Sequence, residues 1–132
     1  MQQDQDPYLL ACQALGKEPV PVLTDKNDPD KVSVDAYERL IICIRAKNMK
    51  DGKPWVPVYD GTEYHYWPYF RKNESGFGFS APGFDSWGTL AIVGSRLEYR
   101  TRALAEEGAK EFEQLYNDYL VMPKIETSSE EN

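Results

Sequence analysis

One histidine and two cysteines bound the chemistry open to this chain of 132 residues. His65 stands alone, so no site built on two imidazoles can form. Cys12 and Cys43 lack the close paired spacing of thiolate metal sites, and both fall inside apolar helical patterns. A Cys–His or Ser–His pair through His65 is arithmetically open, but no local signature supports a nucleophile. Asp60 and Glu63 border a turn, where charged loop residues account for them. No phosphate-cradling glycine loop, dinucleotide fingerprint or nucleophile elbow occurs. Gly76-Phe-Gly78 supplies two glycines after a hairpin turn and does not open a helix. The residues therefore predict no catalytic, cofactor or metal site, and a protein that is not an enzyme.

Binding chemistry is better represented. The chain holds nine Tyr, five Phe and three Trp, concentrated in its middle. In an extended strand Tyr64, Tyr66 and Phe70 point one way, and His65, Trp67 and Tyr69 the other. Either both faces are covered and the rings are core, or one face is an open aromatic platform. Charge favours a closer look at the platform. The chain carries −7 overall, which excludes indiscriminate coating of nucleic acid or anionic lipid. Residues 45 to 102, however, carry +3, and the remainder −10. Read as a strand, the segment through Arg100 places Arg96, Glu98 and Arg100 on one face, opposite Leu97 and Tyr99. A basic strand face beside aromatic strands suits single-stranded nucleic acid. The candidate binding surface is Trp67, Tyr69, Arg71, Lys72, Phe84, Trp87, Arg96 and Arg100.

The elements that must position these groups are well punctuated. Asp6 and Pro7 open a short helix that Gly16 stops. Residues 17 to 33, with Pro19, Pro21 and Pro29, read as a surface crossing pinned by Val20, Val22 and Leu23. A second helix is expected from Ser33 or Asp35 to about Lys47, burying Tyr37, Leu40, Ile41 and Ile44, with Val34 at its start. Strands are expected at Trp55–Tyr59 (confined to an edge by Pro54 and Pro57), Glu63–Lys72, Gly76–Ser80 and Ile92–Arg100. Thr101 caps a closing helix whose inner face carries Leu104, Ala105, Gly108, Phe112, Leu115, Tyr116 and Tyr119. Gly108 on that face implies a close approach to a neighbour. The predicted class is α+β: an antiparallel three- to four-stranded meander packed by a C-terminal helix, with two N-terminal helices.

The expected domain covers residues 6–122, between a disordered N-terminus at 1–5 and a disordered acidic tail at 123–132. No apolar run reaches the roughly 20 residues of a membrane-spanning helix. The opening Met1-Gln-Gln-Asp-Gln-Asp6 has neither the basic nor the apolar part of a signal peptide. The cysteines could pair, but buried reduced thiols are the expected state, and the expected location is the cytoplasm of a bacterial host.

The runs Tyr64-His-Tyr66-Trp67-Pro68-Tyr69-Phe70, Gly76-Phe77-Gly78-Phe79 and Val93-Gly94-Ser95-Arg96-Leu97-Glu98-Tyr99 form a distinctive series. With Ala11-Cys12-Gln-Ala-Leu15-Gly16-Lys-Glu-Pro19, Trp55-Val-Pro57 and the closing helix, it resembles a family of small proteins from Bacteroidales phages, prophages and mobile elements. The family usually reads Tyr-Tyr-Pro-Trp-Phe where this chain has Tyr66-Trp67-Pro68-Tyr69-Phe70. The resemblance implies an origin and a shared fold. It implies no activity and no site residue, since the family has no assigned biochemical role. The expected function is that of a non-enzymatic accessory protein acting through protein–protein contact, with a partner protein or itself as a homodimer. The alternative is a single-stranded nucleic-acid-binding module using the aromatic and basic sheet face.

Overall fold

Asp6 begins the first element as its type predicts. Its carboxylate accepts a hydrogen bond from the Tyr8 amide at 2.9 Å, and Pro7 fills a first-turn position that needs no N–H donor. The helix α1 spans Pro7–Leu15, and Gly16 ends it in the left-handed region at φ 65°. The computed structural model describes residues 6–20, 27–71, 78–85 and 95–121.

Helix α2, Pro29–Lys47, starts earlier than the Ser33 or Asp35 expected from sequence. Pro29 is not a breaker here. It sits in the first turn, and the Asp28 carboxylate accepts from the amides of Asp30 and Lys31. The longer helix buries Ala36, Leu40, Ile42, Cys43 and Ile44, while Tyr37 and Ile41 are half-buried and Val34 lies exposed. The crossing before it is pinned at Val20, whose amide donates to the Tyr8 hydroxyl (2.9 Å) and whose carbonyl accepts from Arg39 (3.1 Å). The Arg39 guanidinium also lies 4.4 Å above the Tyr8 ring.

Two strands, β1 (His65–Arg71) and β2 (Gly78–Asp85), pair antiparallel, with His65 opposite Asp85 and Arg71 opposite Gly78. Pro68 faces Pro82, neither of which can donate, and the register shifts between Pro68 and Phe70. Beyond the ribbon, Tyr66 makes an isolated bridge to Tyr99 through N···O contacts of 3.1 and 2.7 Å.

The expected α+β meander of three to four strands is not seen. Among the described residues four α-helices dominate, and the strands amount to one two-stranded ribbon. Trp55–Tyr59 alternates in sequence, but Pro54 and Pro57 remove two ladder donors and the segment has no regular structure. Ser95–Leu97 winds into a 3-10 turn, and among the described residues of this segment Tyr99 pairs with β1, while 92–94 lie outside them. The closing helix is divided. Thr101 caps α3 (Arg102–Glu111) through the Leu104 amide at 3.1 Å, and α4 (Glu113–Leu120) follows. Phe112, at φ −108° and ψ 23°, interrupts the helical run while its ring is buried. The expected disorder at 1–5 and 123–132 lies outside the described residues, among which no helix is long and apolar enough to cross a membrane.

The core gathers Tyr8 and Cys12 of α1, Leu40, Cys43 and Ile44 of α2, Leu97 and Tyr99, and Ala105, Phe112 and Tyr116 of the closing helices. On its far side, the Ser33 hydroxyl donates to the Tyr119 carbonyl at 2.8 Å, and the Tyr37 and Tyr119 rings meet at 5.2 Å. Lys47 ties α2 to α3 through Glu111 (2.8 Å) and Glu107 (3.2 Å).

This core holds acidic protons tightly. Burial pushes the Cys43 thiol from 9.0 to about 12, with the nearby Asp6 and Cys12 adding to the shift and Arg39 opposing it. Burial first, and then each other's proximity, carries the Tyr99 hydroxyl well above its ordinary range; burial likewise raises Tyr116, against a lowering hydrogen bond from Tyr99. The folded chain thus retains protons that the unfolded chain would release. Their contribution to stability is whole below pH 9.0 and is lost as pH rises toward about 12. Cooperative loss of helical circular dichroism together with a late rise in tyrosinate absorbance is expected in that window. Titration of all tyrosines near pH 10.0, with the helices intact, would contradict it.

Candidate functional site

The segment between Lys53 and Glu63 has no ladder to join, and its rings close over the outer face of β1 instead. His65 is fully buried there, with Tyr59 edge-on at 4.6 Å and Trp55 at 6.1 Å between ring centres. Its Nε2 lies 3.0 Å from Glu63 Oε2, which also accepts from the Val58 amide at 2.8 Å. Its Nδ1 lies 3.7 Å from Glu98 Oε1, beyond hydrogen-bonding distance. The Glu98 carboxylate is itself at 0% exposure and accepts from the Tyr59 hydroxyl at 2.5 Å.

Asn48 fastens this cluster to α2. Its amide nitrogen donates to the Glu98 carbonyl (2.9 Å), and its side-chain oxygen accepts from the Arg100 amide (2.9 Å). The Arg100 guanidinium then donates to the carbonyls of Asn48 (3.0 Å) and Met49 (3.4 Å). An imidazole between two carboxylates has the composition of an acid–base centre. The His65 ring and the Glu98 carboxylate are, however, both at 0% exposure. The arrangement gives the Tyr59 hydroxyl and the Arg100 guanidinium acceptors and holds the 95–101 segment against α2, while His65 Nδ1 has no hydrogen-bond partner among the described residues.

Above the cluster lies an open cleft of about 230 Å³ between α2 and residues 55–57. Ile41, Ile44, Trp55 and Pro57 line it, and Arg45 and Arg96 flank it. Both arginines are exposed. A second, shallower groove of about 490 Å³ runs between α1, α2 and the end of α3, with Leu10, Ala11, Ala46 and Phe112 as its apolar lining.

Of the candidate surface expected from sequence, the side chains of Trp67, Arg96 and Arg100 are described, and of these Arg96 alone is exposed. Trp67 is buried at 5% exposure, and Arg100 is turned onto backbone carbonyls. Arg96 is exposed at the cleft. Tyr69, Arg71 and Phe84 belong to the ribbon, with their side chains outside the described residues, and Lys72 and Trp87 lie wholly outside them. Glu98 was expected beside Arg96 on a solvated strand face. The 3-10 turn instead carries the chain inward, so that Leu97, Glu98 and Tyr99 are all buried in succession. Sequence reasoning had Arg45 in the basic stretch and Trp55 in a strand. Nothing in their spacing tied them to Arg96 or identified Asn48 as the clasp.

Fold and site together define a small, mostly helical domain with a sealed polar centre and apolar surface depressions. Among its described residues no cluster of three or more His, Cys, Asp or Glu side chains could hold a metal ion. No protein-family model matches the chain, and no curated protein or solved structure is similar to it.

Proposed function

We propose that this protein works by binding another protein, without catalysing a reaction. The observation that supports this reading is a contrast in placement. His65 and Glu98 are enclosed, whereas two depressions open at the surface beside exposed Leu9, Leu10 and Val56. The chain offers something to hold and shields what could react. An accessory role in a phage or mobile element is proposed with it, on the resemblance of the aromatic motifs. The alternative, single-stranded nucleic-acid binding, gains no support from a buried Trp67 and a tethered Arg100.

Photo-crosslinking in the producing cell tests the reading. A benzophenone amino acid placed at Leu10 or Val56 is expected to give discrete protein adducts, and one at exposed Lys110 on α3 none. Absence of protein adducts from both apolar positions would overturn it.

A further inference from the structure

We infer that the cleft between α2 and residues 55–57 receives an acidic segment of a partner protein, one apolar side chain entering the slot between flanking carboxylates. The inference rests on the protein-contact reading and names the chemistry of the partner. The cleft's shape supplies the first part. Its volume of about 230 Å³ falls below the roughly 300–1,000 Å³ of cofactor and drug-sized sites. Ile41, Ile44, Trp55 and Pro57 give it hydrocarbon and indole walls, beside the polar Asn48. Such a slot takes a single side chain, and Val56, at 75% exposure, extends the apolar surface at its lip.

The charge around the slot supplies the second part. Arg45 and Arg96 make no ion pair or hydrogen bond with any described residue. Several other cations are engaged: Lys47 by two glutamates, Arg102 by Glu106, and Arg39 and Arg100 by backbone carbonyls. Of the acids beneath the cleft, Glu63 contacts His65 and Glu98 accepts from Tyr59. Two unengaged guanidinium groups on a chain of net charge −7 are a local reversal of sign. Their planar forks match carboxylates in paired geometry, and flanking an apolar slot they select for charge on both sides of one anchor. A nucleic-acid strand would meet the same arginines, but it would also meet the acidic remainder of the surface, and the slot is small for a base with its sugar.

The test is fluorescence anisotropy of a labelled pentapeptide with phenylalanine between two pairs of glutamates. Saturable binding is expected, weakening several-fold as salt rises from low to about 0.15 M. Glycine at the centre should abolish it. The double substitution Arg45→Glu/Arg96→Glu should weaken it by about tenfold or more and leave the thermal unfolding midpoint unchanged, both side chains being exposed. A peptide with lysines in place of glutamates should then prefer the doubly substituted protein. The inference is overturned by no saturation up to about 1 mM, a concentration that corresponds to only about 4 kcal/mol of binding. It is equally overturned by affinity indifferent to the arginines or by tighter binding of single-stranded oligothymidylate. Crosslinks from Leu10 with none from Val56 would also sink it, while leaving the protein-contact reading standing; crosslinks from neither would remove that reading as well.

Discussion

Gly108→Ala is expected to lower the thermal unfolding midpoint by on the order of 10 °C, taking about 4 °C per kcal/mol for a chain of this size. In an exposed helix the same change stabilises by about 1 kcal/mol, because alanine is the better helix former. Here the sign reverses. A Cβ on Gly108 would stand 2.6 Å from two ring carbons of Tyr99 and closer still to its hydroxyl. The Tyr99 ring cannot step aside. It is fully buried, its hydroxyl is 2.7 Å from that of Tyr116, and its backbone is paired to Tyr66. Overpacking a closed core costs about 1–3 kcal/mol, occasionally more, and this site belongs at the upper end. Adding Tyr99→Leu should recover part of the loss that Gly108→Ala causes, since it removes the obstructing ring. A midpoint equal to or above that of the parent would show that helix α3 can shift away from Tyr99.

The second large effect is at Glu98. Its removal by Glu98→Ala should cost on the order of 1–3 kcal/mol, as expected when the charged acceptor of a hydrogen bond in a closed core is deleted. Tyr59 loses its acceptor, and the buried His65 loses the carboxylate facing Nδ1. Glu98→Gln should cost less, because an amide oxygen can still accept from Tyr59. The two residues act as a unit, so His65→Ala and Glu98→Ala together should destabilise by clearly less than the sum of the separate changes. Urea midpoints for the two single variants and the double variant measure this directly. Additivity within about 0.5 kcal/mol would mean that the histidine and the carboxylate are energetically independent despite their 3.7 Å approach.

These two sites differ in how visible they are in the primary structure. Gly108 on the apolar stripe of the closing helix already implies a close neighbour, because glycine in a helix interior is otherwise unfavourable. Which neighbour it is follows only from the bridge between Tyr99 and Tyr66. Glu98 reads as a solvated strand residue, and its burial depends on a 3-10 turn at Ser95–Leu97 and on an acceptor role for Tyr59. Period-two alternation cannot reveal either. Arg96 and Arg100 depart from a shared strand face for the same reason: the chain turns at Ser95–Leu97.

Local chemistry was written plainly in the helix ends. Asp6 with Pro7, Gly16, and Thr101 with the Leu104 amide satisfy their own backbone groups within a few residues, so their effect does not depend on distant partners. Asp28-Pro29 is the same kind of signal, misread as loop because a proline is more familiar as a stop than as a first-turn residue. What required the tertiary structure was every decision that joins separated segments. Asn48 clasps the chain at Glu98 and Arg100, and the rings of Trp55 and Tyr59 cover His65. The arginine-flanked cleft arises because residues 45, 55 and 96 meet around α2. Such meetings are settled by burial and by the need to satisfy polar groups across the whole core, and neither quantity is carried by any single stretch of residues.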